Sequence, residues 1–353
     1  GGVTAVFTAA VALMYVIIIG DTARDLAVFA GLGMPWERRD VLLRLAAFLV
    51  LLPISLLRSL AALAPFSALG IFGVIYTAFF CNLRLFQGAY GPAGQFSEQI
   101  ASGPSFGEAG TRVLPAFVLI SMMGTAFMAH FSAPRFLREL ERPTVARYGL
   151  LAALGFSAAF ALMALVMCGG FLTFGGSSQG LILNSYAASD HLALMARIGT
   201  LASVTFAYPM VIASCREDLL QLVPSWGPRL PGGFGSAAVS ASEAAVAERR
   251  ASARRDAMTV ILVLGSTAAG IAITDLGFLV ALVGAVNGAL VIYVFPGLVF
   301  FEFTGRKMRA GNMDLALCVD RFLSVVIVCV GFLLVVAGAS VTVLAEFWPS
   351  LLS

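Results

Sequence analysis

The residues of this chain with the most chemical potential are polar groups set inside apolar runs, where each is costly to bury. The segment Ile120-Ser-Met-Met-Gly-Thr-Ala-Phe-Met-Ala-His-Phe-Ser-Ala-Pro134 gathers Ser121, Gly124, Thr125, His130, Ser132 and Pro134. Gly124 permits backbone geometries that other residues resist, and Pro134 has no backbone N–H to donate. A helix that loosens here exposes carbonyl and amide groups, which can hold ions and carboxylates midway through a bilayer. The competing reading is a kinked helix whose small residues pack against a neighbour. His130 stands near the end of its run, either as a proton-coupling or gating group or as a satisfied helix-end histidine.

A second constellation is Ser203-Val-Thr-Phe-Ala-Tyr-Pro209. Pro209 frees the carbonyl of Thr205 four residues earlier. With the hydroxyls of Ser203 and Thr205, that carbonyl would make an oxygen cage suited to a hard monovalent cation. Hydroxyls that bond back to their own helix are the alternative. A third is Gly284-Ala-Val-Asn-Gly288, where Asn287 either hydrogen-bonds between helices or lines a pathway. Tyr15, central in the first apolar run, either turns its hydroxyl into a cavity or packs as an aromatic. Asp21 and Asp25 mark the outer edge of that run.

The elements that must carry these groups follow from composition. Of 353 residues, 60% are hydrophobic and only 12% charged, with a mean hydropathy of +0.96; a soluble domain carries about 25% charged residues. Nine stretches approach the length of a membrane-spanning helix, about 20 residues: 3–22, 41–57, 67–86, 113–134, 149–174, 193–215, 257–275, 277–301 and 322–345. They are too long for buried strands, and the ten-residue alternation of a membrane barrel is absent. The fold class expected is therefore all-α, a polytopic bundle in a lipid bilayer forming one transmembrane domain.

Consecutive spans alternate sides, which divides the connections into two sets. Fifteen of the 22 basic residues fall in one set, which includes Arg135, Arg138, Arg216, Arg254, Arg255 and Arg321, and seven in the other. The richer set is expected on the cytoplasmic side, although Arg38, Arg39 and Arg44 run against that assignment. Residues 87–112, rich in Gly, Ser and Pro, read as the main external loop, and 216–256 as the main cytoplasmic loop. The end of the latter, Ala-Glu-Arg-Arg-Ala-Ser-Ala-Arg-Arg, reads either as a solvated charge run or as a short basic helix on an anionic leaflet.

Several function classes are excluded. A net charge of +3 with scattered basic residues does not suit nucleic acid. Five cysteines without C-x-x-C spacing and only two histidines give no metal centre or disulfide framework. Few intramembrane carboxylates and no clustered acid pairs leave little for an enzyme to use. No cofactor is implied, and nothing in the sequence fixes an oligomeric state.

In order, four stretches resemble the amino acid/auxin permease family, which includes the sodium-coupled neutral amino acid transporters. Tyr15-Val-Ile-Ile-Ile-Gly-Asp-Thr22 is similar to the end of that family's third helix, and Leu52-Pro-Ile-Ser-Leu-Leu-Arg-Ser-Leu60 with Ser67-Ala-Leu-Gly70 to its fourth helix and the turn into the fifth. Ala126-Phe-Met-Ala-His-Phe-Ser-Ala-Pro-Arg-Phe-Leu-Arg-Glu-Leu-Glu-Arg-Pro-Thr144 resembles the sixth helix and its exit, and is the most specific match. Val204-Thr-Phe-Ala-Tyr-Pro209 with Cys215-Arg-Glu-Asp-Leu219 resembles the eighth.

The resemblance implies two inverted five-helix repeats plus a final helix, a LeuT-like fold in which the nine spans are the third to the eleventh. It also implies that a broken first helix, holding much of the substrate and sodium site, precedes this chain. Gly124, Thr125 and Phe127 then fall where the sixth helix opens around the substrate's amino and carboxylate groups, with Tyr15 and Asn287 as further substrate contacts. Thr205, with Ser203, falls on the eighth-helix share of the sodium site. The function implied is secondary active transport of small neutral amino acids, coupled to sodium or protons, at a plasma or vacuolar/lysosomal membrane. A membrane sensor that binds amino acids but moves few of them is the rival. The chain departs from the family pattern at Ala129-His130, where many members have Cys-His, and lacks a second cysteine in the 87–112 loop to pair with Cys81.

Overall fold

The computed structural model describes residues 2–57, 64–97, 113–128, 133, 137, 140–222, 241–310 and 314–348. Its helices are α1 (Gly2–Phe29), α2 (Arg39–Ala46), α3 (Leu52–Ser55), α4 (Ala64–Phe86), α5 (Val113–Ala126), α6 (Val145–Phe174), α7 (Ile182–Ser185), α8 (His191–Leu222), α9 (Ala241–Ala272), α10 (Leu276–Val283), α11 (Phe295–Arg309) and α12 (Leu315–Phe347). A π-helical turn, Ala47–Leu51, joins α2 to α3, and two more, Gly284–Gly288 and Leu290–Val294, join α10 to α11. No strand occurs among the described residues.

Among the described residues, seven helices are long and apolar enough to cross a membrane: Gly2–Phe29, Leu69–Phe86, Val145–Phe174, His191–Leu222, Glu248–Ala272, Leu276–Arg309 and Leu315–Leu344. Each coincides with one of the nine expected spans. Of the other two, 41–57 corresponds to helix running without a break over 39–55. The span expected at 113–134 is helical over Val113–Ala126.

Several helices outrun the apolar stretches that announced them. α1 continues seven residues past 22 because its charges find partners: Asp21 with Arg39 at 2.6 Å and Asp25 with Arg197 at 2.9 Å. The start of α9 at Ala241 places Glu248, Arg249, Arg250, Arg254 and Arg255 on helix, within the segment read as the cytoplasmic loop. Ala, Glu and Arg are strong helix formers, so this polar run extends the apolar helix behind it.

The helices form two compact units, Gly1–Ser105 with Leu165–Leu276, and Phe106–Ala164 with Gly277–Ser353. In the first, α1 packs along α8, α9 and α2, and α4 packs along α8. Ala12, Val16 and Ile19, on one stripe of α1, meet Leu43, Leu51, Tyr208, Ile212 and Val263. α4 and α8 approach almost backbone to backbone. A methyl group built on Gly73 would lie 3.3 Å from the carbonyl carbon of Gly199, and one on Gly70 would lie 2.5 Å from Ser203 Oγ. Backbone at such range cannot yield as a flexible side chain would. Gly73→Val is therefore expected to cost about 1–3 kcal/mol through overpacking, read as a lower thermal midpoint of the purified full-length protein.

In the second unit, α11 and α12 pack together, and α5 lies along the Gly284–Gly288 turn and α12.

Candidate functional site

The loosening read from Gly124 and its surroundings takes the form of a stop. α5 ends at Ala126. The N–H of Phe127 still donates to Met123 O at 3.1 Å, but that of Met128 turns to Thr125 O at 3.3 Å. The Gly124 carbonyl thereby loses the partner that a continuing α-helix would give it. Carbonyls at a helix C-terminus carry partial negative charge, so this end presents acceptors to an ammonium group or a cation.

The second unit brings three of the expected substrate residues to one place. A methyl group built on Gly288 would sit 3.8 Å from both Thr125 N and Thr125 Oγ1, and 3.9 Å from Gly124 C. Asn287, 5% exposed, is the neighbour of Gly288 in the same π turn. One built on Gly124 would lie 3.4 Å from Ile292 Cδ1, in the next π turn. A π turn is wider than an α turn and leaves backbone groups off the regular ladder; Ala289 N–H reaches back five residues to Gly284 O. The open end of α5 thus faces a widened helix that carries a buried amide side chain. Phe127, partly buried, lies with its ring 6.2 Å from that of Phe156 and 6.5 Å from that of Phe160. His130 lies outside the described residues.

The other expected residues belong to the first unit. Tyr15 is partly buried against the Val16–Ile19–Tyr208 cluster, the packing position of its two readings. α8 passes through Pro209 without breaking. Ser203 sits where α8 meets Gly70 of α4, and Thr205 is partly buried two residues on.

The sequence reading missed a polar network beside them. Asp190, fully buried, precedes α8 and accepts from Arg84 Nε at 2.9 Å, Arg84 Nη2 at 2.5 Å and Tyr90 Oη at 3.0 Å. It also accepts from the Leu192 N–H at 2.9 Å, which caps the helix. Burial raises the pKa of its carboxyl, but the hydrogen bonds from Arg84, Leu192 and Tyr90 outweigh it and leave the group below the usual aspartate value. Burial pushes the Tyr90 phenol well up.

Arg197, 1% exposed, donates to the carbonyls of Ala187, Leu183 and Tyr186 at 3.1, 2.9 and 2.8 Å and pairs with Asp25. Arg39 bridges Asp21 and Gly270 O, and Asn184 donates to the other oxygen of Asp21 at 3.1 Å. Arg38 and Arg44 both pair with Asp40. Each arginine of the cluster that ran against the charge rule therefore has a carboxylate partner, with Asp40 shared by two of them. One sequence signal was available: Asp21 and Asp25, four apart, lie on one helix face.

The family described as transmembrane amino acid transporter protein matches residues 2–344. Solute carrier family 38 member 8 of Homo sapiens is 25% identical over 295 residues, 82% of this chain and 63% of that protein. Sodium-coupled neutral amino acid transporter 7 of Homo sapiens is 26% identical over 313 residues, 86% of this chain and 62% of that protein. Vacuolar amino acid transporter 5 of Schizosaccharomyces pombe is 22% identical over 302 residues, 86% of this chain and 65% of that protein. The chain thus spans less than two thirds of the length of these relatives. No solved structure matches it. The family and these relatives are transporters, not enzymes. With seven apolar helices of spanning length and no strand among its described residues, and matched from its second residue to its 344th, the chain belongs to the transmembrane amino acid transporter protein family.

Proposed function

We propose that this chain belongs to a secondary active transporter that carries small neutral amino acids across a bilayer, coupled to sodium or protons. The observation that carries the reading is the meeting of the α5 stop at Ala126 with the π turn holding Asn287 and Gly288. Chain ends of broken or widened helices offer both donors and acceptors to an amino acid's charged groups. Gly124, Thr125, Phe127 and Asn287 are the substrate contacts in this reading. Thr205, with Ser203 and the carbonyl that Pro209 frees, holds the coupling ion, and His130 serves gating or proton coupling. The bundle is read as two inverted five-helix repeats plus a last helix. The names of the relatives support neutral amino acids and sodium in one case and a vacuolar membrane in another.

Uptake of labelled amino acids by liposomes holding the full-length protein tests the reading. Imposed sodium or proton gradients are expected to drive accumulation, and a flat response to both would overturn it. Asn287→Leu, which keeps the branched shape and removes the amide, is expected to raise KM about tenfold, the loss of roughly one good hydrogen bond to the substrate. Thr205→Val is expected to lower the apparent affinity for the coupling ion while sparing expression; an unchanged ion dependence removes Thr205 from the ion site.

A further inference from the structure

In the first unit the partly buried Arg39 and Arg84 and the buried Arg197 each have a carboxylate. Arg216 does not. It lies near the end of α8 and is 6% exposed. Its Nη1 donates to Thr259 Oγ1 at 2.9 Å, and its buried Nε donates to no described residue. No described carboxylate forms an ion pair with it. The connection 223–240 contains no Asp or Glu that could supply one. A buried guanidinium without an ion-pair partner is costly to keep, and the free Nε edge is the side of the fork that grips two oxygens of one anion.

The surroundings indicate which anion. Thr259, fully buried, passes its own proton to Arg255 O at 2.9 Å, so its oxygen is fixed toward Arg216. Cys215 Sγ points to Ala5 O at 3.6 Å, which sets this end of α8 beside the first turns of α1. The position thus lies near the end of α8, beside the first turns of α1 and against the middle of α9, on the side of the arginine-rich connections. Arg249, Arg250, Arg254 and Arg255 precede Thr259 on α9 and are exposed, one turn and more beyond the buried site. Glu217 and Asp256, exposed beside Arg216 and Arg255, repel an anion that arrives through water. A phosphate that travels in the bilayer plane avoids them. Basic pockets between helices suit anionic headgroups.

We propose that Arg216, oriented by Thr259 and assisted by Arg255, seats the headgroup phosphate of an anionic phospholipid from the arginine-rich side of the membrane. The site is independent of transport and is tested without it. The full-length protein in a neutral detergent is given phosphatidylcholine, phosphatidylglycerol or inorganic phosphate, and its thermal midpoint and lipid adducts in native mass spectrometry are followed. Phosphatidylglycerol is expected to raise the midpoint above phosphatidylcholine, and millimolar phosphate is not. Arg216→Gln is expected to weaken phosphatidylglycerol binding by about tenfold or more, with Arg216→Lys between it and the wild type. Arg255→Gln, at an exposed position, is expected to weaken it less, and it reads the same site if Arg216→Gln does not fold. Equal effects of the two lipids on the wild type would overturn the proposal, as would an undiminished phosphatidylglycerol effect in the variants. Phosphate alone reproducing the lipid effect would overturn the lipid as its source.

Discussion

Asp190→Ala is expected to destabilise the protein by about 3–5 kcal/mol, a fall of roughly 10 °C in the thermal midpoint of the purified full-length chain. The substitution strands Arg84, whose guanidinium is largely buried, takes the acceptor from the Tyr90 hydroxyl and uncaps α8. Asp190→Asn keeps the size and one acceptor oxygen, so it is expected to fall between wild type and Ala. A midpoint for Ala within a degree or two of wild type would mean that water reaches the pair. The sign of the pH dependence follows from the lowered carboxyl pKa. A group whose pKa is depressed on folding contributes stability above the unfolded value, near 3.9 for aspartate, and loses it as pH falls through the folded value. Acid unfolding of wild type should therefore carry a component below about pH 4 that Asp190→Asn lacks.

The second large effect is at Arg197. One side chain satisfies three carbonyls of the 183–187 stretch and the carboxylate of Asp25. Arg197→Ala leaves three buried carbonyls and the partly exposed Asp25 carboxylate without their donor, and a loss of about 3–5 kcal/mol is expected. Arg197→Lys keeps the charge but not the planar fork, and a single ammonium cannot reach three carbonyls spread over five residues. It is therefore expected to recover only part of the stability. Removing Asp25 in the Arg197→Ala background separates the terms: if the double variant is no less stable than the single one, the ion pair accounts for the loss attributed to Asp25. Additive losses would mean that Asp25 and Arg197 act through different partners.

The helices were legible in the sequence because apolar length is the signal that lipid imposes, and the runs ending at 22, 86 and 174 needed no tertiary information to find. Where they end was less legible. α1 passes Asp21 and Asp25, and a hydropathy reading stops there because it prices each charge as if it were alone. The partners that make those charges acceptable come from far away: Arg197 for Asp25, and for Arg84 a carboxylate 106 residues on. The candidate site was legible in its residue types. The residues by themselves put Gly124 and Asn287 in separate constellations, the family resemblance assigns both to the substrate, and the fold brings the first beside the neighbour of the second. The π turns were not legible at all, since nothing in Gly-Ala-Val-Asn-Gly or Leu-Val-Ile-Tyr-Val distinguishes five residues per hydrogen-bonded loop from four.

Those turns change the arithmetic of the helix that contains them. Each residue of an α-helix advances about 100° around the axis, and each π turn takes up one residue more than an α turn. Across 284–294 the strand of side chains is therefore about two residues out of phase with a regular helix, and the α10 and α11 faces do not continue one another. The same surplus is slack in length. Deleting one residue there would convert a π turn to an α turn and leave α11 seated with Gly297 against Val328, whereas a deletion within α12 has no such reserve and would rotate every contact beyond it.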